Sequence, residues 1–132
     1  MAEEGEKKFE QISFLREGNY LLIDGFACQI REIERSKPGK HGAAKARITG
    51  IGVFDDQKRT LMKSTGSDHE VPIVNRGSAQ VVAIMGDVIQ IMDTASYETF
   101  DVAKPKDVQG LTGGAEVEYL RYGSNIRVIR KK

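Results

Sequence analysis

The residues with the most chemistry in this chain are a lysine and a histidine placed side by side. Lys40 and His41 lie within Ser36-Lys37-Pro38-Gly39-Lys40-His41-Gly42-Ala43-Ala44-Lys45, and no acid interrupts the stretch between Lys37 and Arg47. Lys37-Pro38-Gly39-Lys40 has the make-up of a type II turn, with proline fixing φ at the second position and glycine supplying positive φ at the third. Gly42 frees the backbone again just after His41, so the spacing predicts an outward-facing Lys40 amine with little around it. A lysine becomes a nucleophile near neutral pH when desolvation or a neighbouring cation lowers its pKa. An open turn offers water instead, and no carbonyl-binding pocket is evident. Lys40 is therefore read as a group acted upon by an enzyme, not as one that turns over substrate.

Other catalytic apparatus is sparse. His41 and His69 are the only histidines, and neither has the Cys/His spacing of a zinc site, so no metal is expected. Cys28 is the only cysteine; it permits no internal disulfide and reads as a small hydrophobe inside a strand. Asp55-Asp56 reads as a solvated turn, and Gly50-Ile51-Gly52 as a strand that bends, since neither a helix nor a P-loop lysine follows it.

Size and charge narrow the function classes. The chain has 132 residues, 39% hydrophobic and 30% charged, with a net charge of +1, which admits one ordinary domain or two small ones and excludes a polycation. Contact with nucleic acid must then come from local patches. Lys37, Lys40, Lys45 and Arg47, joined by His41, form one; Arg121, Arg127, Arg130, Lys131 and Lys132 form another. Either can neutralise phosphates, and such binding weakens as salt rises. The start, Met1-Ala2-Glu3-Glu4-Gly5-Glu6, is acidic where a signal peptide is basic. The longest apolar run, residues 79–85 interrupted by Gln80, is too short to span a bilayer, so a cytoplasmic protein with no membrane role is expected.

The elements that must position Lys40 read as β-strands. After a polar stretch, 1–8, expected to fray, short β-branched segments alternate with turn residues. Segments 20–23 and 26–35 flank Asp24-Gly25, a type I′ hairpin signal, and the phase change between Ile30 and Ile33 predicts a bulge. Ala44, Ala46 and Ile48 alternate with Lys45, Arg47 and Thr49, the pattern of a strand with one dry face. Two long strands thus flank Lys40 and are expected to carry it well beyond the barrel, at about 3.3 Å per residue. Segments 61–65 and 70–74 are expected to complete the first sheet, and 72–78 to be the domain junction. Segments 81–85 and 88–92, joined by Gly86-Asp87, then 97–102, 115–120 and 125–129, supply further strands, with 106–111 the only place for a short helix. Pattern alone leaves open a single sandwich of about nine or ten strands. Among the aromatics of the second half, Tyr97, Phe100, Tyr119 and Tyr122, core packing is the expectation for most, and Tyr122 beside Arg121 is the one to test for stacking on a base.

Pro38-Gly39-Lys40-His41-Gly42 followed by Ala43-Ala44-Lys45-Ala46-Arg47 closely resembles the modification loop of the translation initiation factor 5A family, homologous to bacterial elongation factor P. Tyr20-Leu21-Leu22-Ile23-Asp24-Gly25, Gly52-Val53-Phe54-Asp55, Val71-Pro72-Ile73-Val74, Ala79-Gln80-Val81-Val82-Ala83-Ile84 and Gln90-Ile91-Met92-Asp93 extend the resemblance, in the family's order, over nearly the whole chain. Pro38 stands where the family usually has threonine and is expected to stiffen the turn. The resemblance implies an all-β fold of two small barrels: an SH3-like barrel over 1–74 carrying the loop 36–45, and an OB-fold over 75–132. It implies that Lys40 becomes deoxyhypusine or hypusine, by transfer of an aminobutyl group from spermidine by a separate NAD-dependent deoxyhypusine synthase, with no cofactor of the chain's own. Lys37, Gly39, His41 and Gly42 would serve recognition of the loop.

The implied role is that of a non-enzymatic translation factor working as a monomer.

 By that resemblance it would bind the ribosome beside the peptidyl-tRNA and, through modified Lys40, promote peptide-bond formation at stalling sequences such as proline runs. Lys45 and Arg47 on the hairpin, and Arg121, Arg127 and Arg130 in the second barrel, are the expected contacts to ribosomal RNA or tRNA. The chain is shorter at both ends than typical eukaryotic members, which points to an archaeal type. The alternative is a general RNA-binding module that uses its basic patches and needs no modification.

Overall fold

The computed structural model describes residues 3–36 and 44–132. It is all-β, and the chain divides into two compact units, Met1–Ile73 and Val74–Lys132. No helix among the described residues is long and apolar enough to cross a membrane.

In the N-terminal unit, β2 (Tyr20–Ile23), β3 (Phe26–Arg35), β4 (Lys45–Gly52) and β5 (Lys58–Ser64) form an antiparallel meander in sequence order. A second pair, β1 (Lys7–Gln11) with β6 (Asp68–Pro72), closes the unit into an SH3-like barrel. The turn between β2 and β3 has φ of 54° at Asp24 and 84° at Gly25, as a type I′ hairpin requires. The expected bulge is present: the β3–β4 register shifts between Ile30 and Glu32, which keeps both Ile30 and Ile33 on the core. Ile12, Leu21, Ile23, Cys28, Ala46 and Ile48 are fully buried at its centre.

One expectation for this unit needs correction. The polar N-terminal stretch is held: Glu3 N donates to Gly25 O at 2.9 Å, Glu3 Oε1 accepts from Ala27 N at 2.7 Å, and Lys7 already belongs to β1. A 3-10 turn, Ile12–Phe14, follows β1 and sends Ile12 into the core. The Asp55-Asp56 turn is exposed, as expected, and Asp55 takes two hydrogen bonds from Arg59, at 2.8 and 3.1 Å, while Arg59 lies over the Phe26 ring at 3.9 Å.

The C-terminal unit is one curled sheet of β7 (Asn75–Met85), β8 (Val88–Asp93), β9 (Thr99–Ala103), β10 (Glu116–Tyr122) and β11 (Asn125–Lys131), in the order β11-β10-β7-β8-β9. β9 comes back against β11, so the sheet curls in the manner of a partly open OB-fold barrel. Ala79, Val81, Ile89, Ile91, Val117 and Val128 fill it. The sequence 75–78, expected to be junction, is strand: β7 pairs with β10 from Asn75 to Gln80 and with β8 from Ala79 to Met85. Residues 106–111 form a turn and irregular chain and no helix, with φ of 75° at Gly110.

Candidate functional site

Lys37, Gly39, Lys40, His41 and Gly42 lie outside the described residues, so the structure speaks to the frame on either side of them. That frame is β3 and β4. Their ladder runs to Arg35↔Ala46, and beyond it Ser36 N donates to Lys45 O at 2.9 Å while Lys45 N donates to Ser36 Oγ at 3.3 Å. The two chain ends leading to 37–43 are thus tied together at Ser36 and Lys45.

The two flanking strands are joined by a third from the segment expected to extend this sheet. β5 pairs with β4 along its length, to Lys45↔Ser64, and Ala44 O accepts from Thr65 N at 3.0 Å. A three-stranded sheet therefore reaches the base of the loop. Each added strand saturates one edge of β4, which stiffens the base against bending. Along β4, Ala46 and Ile48 are fully buried while Lys45 and Arg47 are exposed, so the two cations share the outer face. Arg47 stands between Glu34 on β3 and Met62 on β5 in the ladder.

The C-terminal arginines are placed less simply. Arg121 Nε donates to Gly123 O at 3.1 Å, and its guanidinium sits 5.1 Å from the centre of the Phe100 ring. Arg127 is ion-paired with Asp107 at 3.7 Å. Arg130 meets Glu118 Oε2 through Nε at 2.8 Å and Nη2 at 2.6 Å. Each of the three is engaged within the protein, and they occupy β10 and β11 without converging on one point. Arg76, unremarked in the sequence because Asn75-Arg76-Gly77-Ser78 reads as a turn, reaches the other oxygen of Glu118 at 2.8 Å.

Tyr122, the candidate to test for base stacking, is 1% exposed and packs in the core instead. Tyr119 is buried as well, its hydroxyl donating to Asp93 Oδ2 at 2.5 Å. Burial first, and then the hydrogen bond to the Asp93 carboxylate, push the Tyr119 phenol up to about 12. The same bond, with the backbone N–H of Ser96, holds Asp93 below its ordinary value. In the C-terminal unit the exposed aromatic is Tyr97, at 71%, and its sequence signal was a neighbourhood of small and polar residues.

Cys28 is fully buried, and burial pushes its thiol up, against the opposing influence of Arg59. No three His, Cys, Asp or Glu among the described residues are grouped to hold a metal ion.

The comparisons with known proteins agree with one another. The family model for the N-terminal part of translation initiation factor 5A-like proteins matches residues 6–68. Translation initiation factor 5A of Methanocaldococcus jannaschii is 46% identical over 90% of this chain and 90% of its own, and that of Methanosphaera stadtmanae is 44% identical over 95% and 96%. A solved structure described as eukaryotic translation initiation factor 5A from Methanococcus jannaschii superposes with a TM-score of 0.90 at 44% identity, covering 96% of this chain and 95% of the other. A translation initiation factor 5A family protein from Naegleria fowleri follows at a TM-score of 0.75 and 28% identity over 96% of this chain and 98% of the other. With identity of this level sustained across both all-β units, the chain belongs to the translation initiation factor 5A family.

Proposed function

We propose that the chain is a ribosome-bound translation factor whose active group is Lys40 extended to deoxyhypusine or hypusine. The observation that carries this reading is the loop Pro38-Gly39-Lys40-His41-Gly42 within a chain that matches archaeal members of the family over nine-tenths of its length. Two features of the frame support it. The loop is entered and left through residues tied together at Ser36 and Lys45, and Lys45 and Arg47 add cations on the outer face beside it.

The chemistry of the modification suits such a placement. An aminobutyl group transferred from spermidine by deoxyhypusine synthase, which uses NAD, about doubles the length of the side chain and adds a second cationic nitrogen. The product is thin and flexible, so it enters a narrow channel lined by phosphates where a guanidinium does not fit. Held beside the peptidyl-tRNA, it steadies the acceptor end. A poorly oriented donor, such as one carrying consecutive prolines, is thereby kept nearer its reactive geometry, a gain of position with no covalent step by the factor. Bond formation stays with the ribosome, and the factor acts in the cytoplasm as a monomer.

Peptide mass measurement on protein from the native cell tests the reading. The expected result is an aminobutyl addition on Lys40 alone; unmodified Lys40 in active native protein would sink it. In a reconstituted translation system, Lys40→Arg is expected to keep the fold and lose the stimulation of proline-run synthesis. Full stimulation by Lys40→Arg, or by unmodified protein, favours a general RNA-binding module instead.

A further inference from the structure

Arg35 is the last residue of β3, next to Ser36 at the base of the loop that contains Lys40. The sheet supports the two sides of that base unequally. On the β5 side, pairing continues as far as Lys45↔Ser64. On the other side β2 pairs with β3 over residues 26–29 alone. Gly18 N donates to Ile30 O and Ile30 N to Asn19 O, both at 2.8 Å, and among the described residues these are the last main-chain bonds along that edge. Ser36 N donates to Lys45 O, so alternation along the ladder turns the main-chain groups of Arg35 and Ile33 away from β4. They face an edge on which no strand among the described residues pairs.

A side chain crosses from that edge to the barrel. Arg35 Nη2 donates to Leu15 O at 3.0 Å. Leu15 is buried in the core cluster, so its carbonyl is a fixed point. Arg16 Nη1 reaches the same oxygen at 3.2 Å and Ser13 O at 3.0 Å, but Arg16 belongs to the turn before β2 and not to the strands of the loop. Arg16, Glu17, Ile33 and Arg35 line an open cleft of about 300 Å³ between that turn and the end of β3. Ile33 packs against the core, and beyond it the Arg35 bond is the tie across the cleft. A strand end with an unpaired edge, an adjoining cleft and few buried contacts is free to lean unless a directed bond holds it.

We propose that Arg35 is a positioning residue for Lys40: its bond to Leu15 O holds the open edge of β3 at a set distance from the barrel and so fixes the direction in which the strands enter the loop. The assignment rests on the reading of Lys40 as the modified group. A synthase must take that one amine into its active site, and strands free to lean offer it correctly for part of the time. The apparent affinity then falls with the competent fraction, while the chemical step is untouched. Arginine suits the place, because its stem spans the cleft and its planar fork loses little freedom on making the bond. Lysine has the reach and a donor, so it should replace arginine in part.

Steady-state modification of the full chain by deoxyhypusine synthase, with spermidine and NAD supplied, tests it. Arg35 is exposed, so Arg35→Met should keep the fold and the thermal unfolding midpoint. Its KM as a protein substrate is expected to rise about 3- to 10-fold with kcat unchanged, the range that one lost hydrogen bond allows. Amide hydrogen exchange in the same variant should quicken at Glu34 and Ser36 and stay as in wild type across β2. Arg35→Lys should bring KM back to within about twofold of wild type. Arg16→Met removes a charge from the same cleft without touching the strands of the loop, and it should leave KM unchanged. A wild-type KM in Arg35→Met overturns the assignment. So does an equal rise in Arg16→Met, which would trace the effect to charge, or an Arg35→Lys variant no better than Arg35→Met. Wild-type protein that the synthase leaves unmodified would sink the reading above together with this one, whereas modified wild type with an indifferent Arg35→Met discards the role of Arg35 alone.

Discussion

Tyr119 lies directly across Gly77, its ladder partner on β7, so that a Cβ placed on Gly77 would fall 2.6 Å from the Tyr119 ring. The missing side chain is what lets the ring lie flat over the sheet and bring its hydroxyl to Asp93. Gly77→Ala is therefore expected to push the ring away, break the hydrogen bond and cost about 1–3 kcal/mol as overpacking. Urea unfolding followed by far-UV circular dichroism measures it, and a loss below about 0.5 kcal/mol would show that the ring moves freely.

Tyr119→Phe removes the donor and keeps the ring. A buried carboxylate losing a hydrogen bond costs about 1–3 kcal/mol near neutral pH. The pH dependence has a definite sign. Asp93 is held below its ordinary value in the folded state, so its contribution is present above the unfolded value and drains away as pH falls through the folded one. The difference between wild type and Tyr119→Phe should thus shrink on acidification. At the other extreme the Tyr119 phenol, raised to about 12, adds stability that is complete below its unfolded value of about 10 and lost as pH climbs toward 12. Tyr119→Phe should lack that alkaline loss, and parallel stability profiles for the two proteins would refute the assignment.

Gly52 carries a similar constraint in the N-terminal unit. A Cβ there would collide with Asp55 Oδ1 and come within 2.9 Å of Arg59 Nη1. Gly52→Ala should break the Asp55–Arg59 pair and lower stability by about 1–3 kcal/mol. Asp55→Asn gives the comparison: if the pair is what Gly52 protects, the two changes combined will cost less than their sum in a double-mutant cycle.

Cys28 should be chemically silent. It is fully buried, and burial raises its thiol, so the reactive thiolate is both scarce and shielded. A disulfide reagent at pH 8 is expected to modify it only after denaturant is added, and prompt labelling of the native protein would show that β3 opens locally.

The elements that sequence made legible are those whose signals are local. Asp24-Gly25 and Gly86-Asp87 announce their turns because the backbone there needs positive φ, which is 84° at Gly25 and 67° at Gly86. The alternation along β4 announced that Lys45 and Arg47 face outward. What stayed hidden depends on distant partners. Asn75-Arg76-Gly77-Ser78 reads as a turn because Gly77 has no side chain, yet it lacks one to admit Tyr119, which lies on β10. Lys7–Gln11 is too polar to look like a strand and is one because β6 pairs with it. Tyr97 and Tyr122 could not be ranked for exposure without the Asp93-capped turn that leaves one in water and the packing that leaves the other 1% exposed. The modification loop was the most legible part of the site, and the structure describes only its frame.

The pairing of β1 with β6 and of β7 with β10 means that the opening strand of each unit waits for a late one. During vectorial synthesis β7 can zip onto β8 as soon as both have emerged, while its other flank stays bare until β10 follows. A nascent chain halted between Ala103 and Glu116 presents that flank as a template for other polypeptides. Completion of the last two strands is accordingly the moment at which this half of the molecule becomes safe from aggregation.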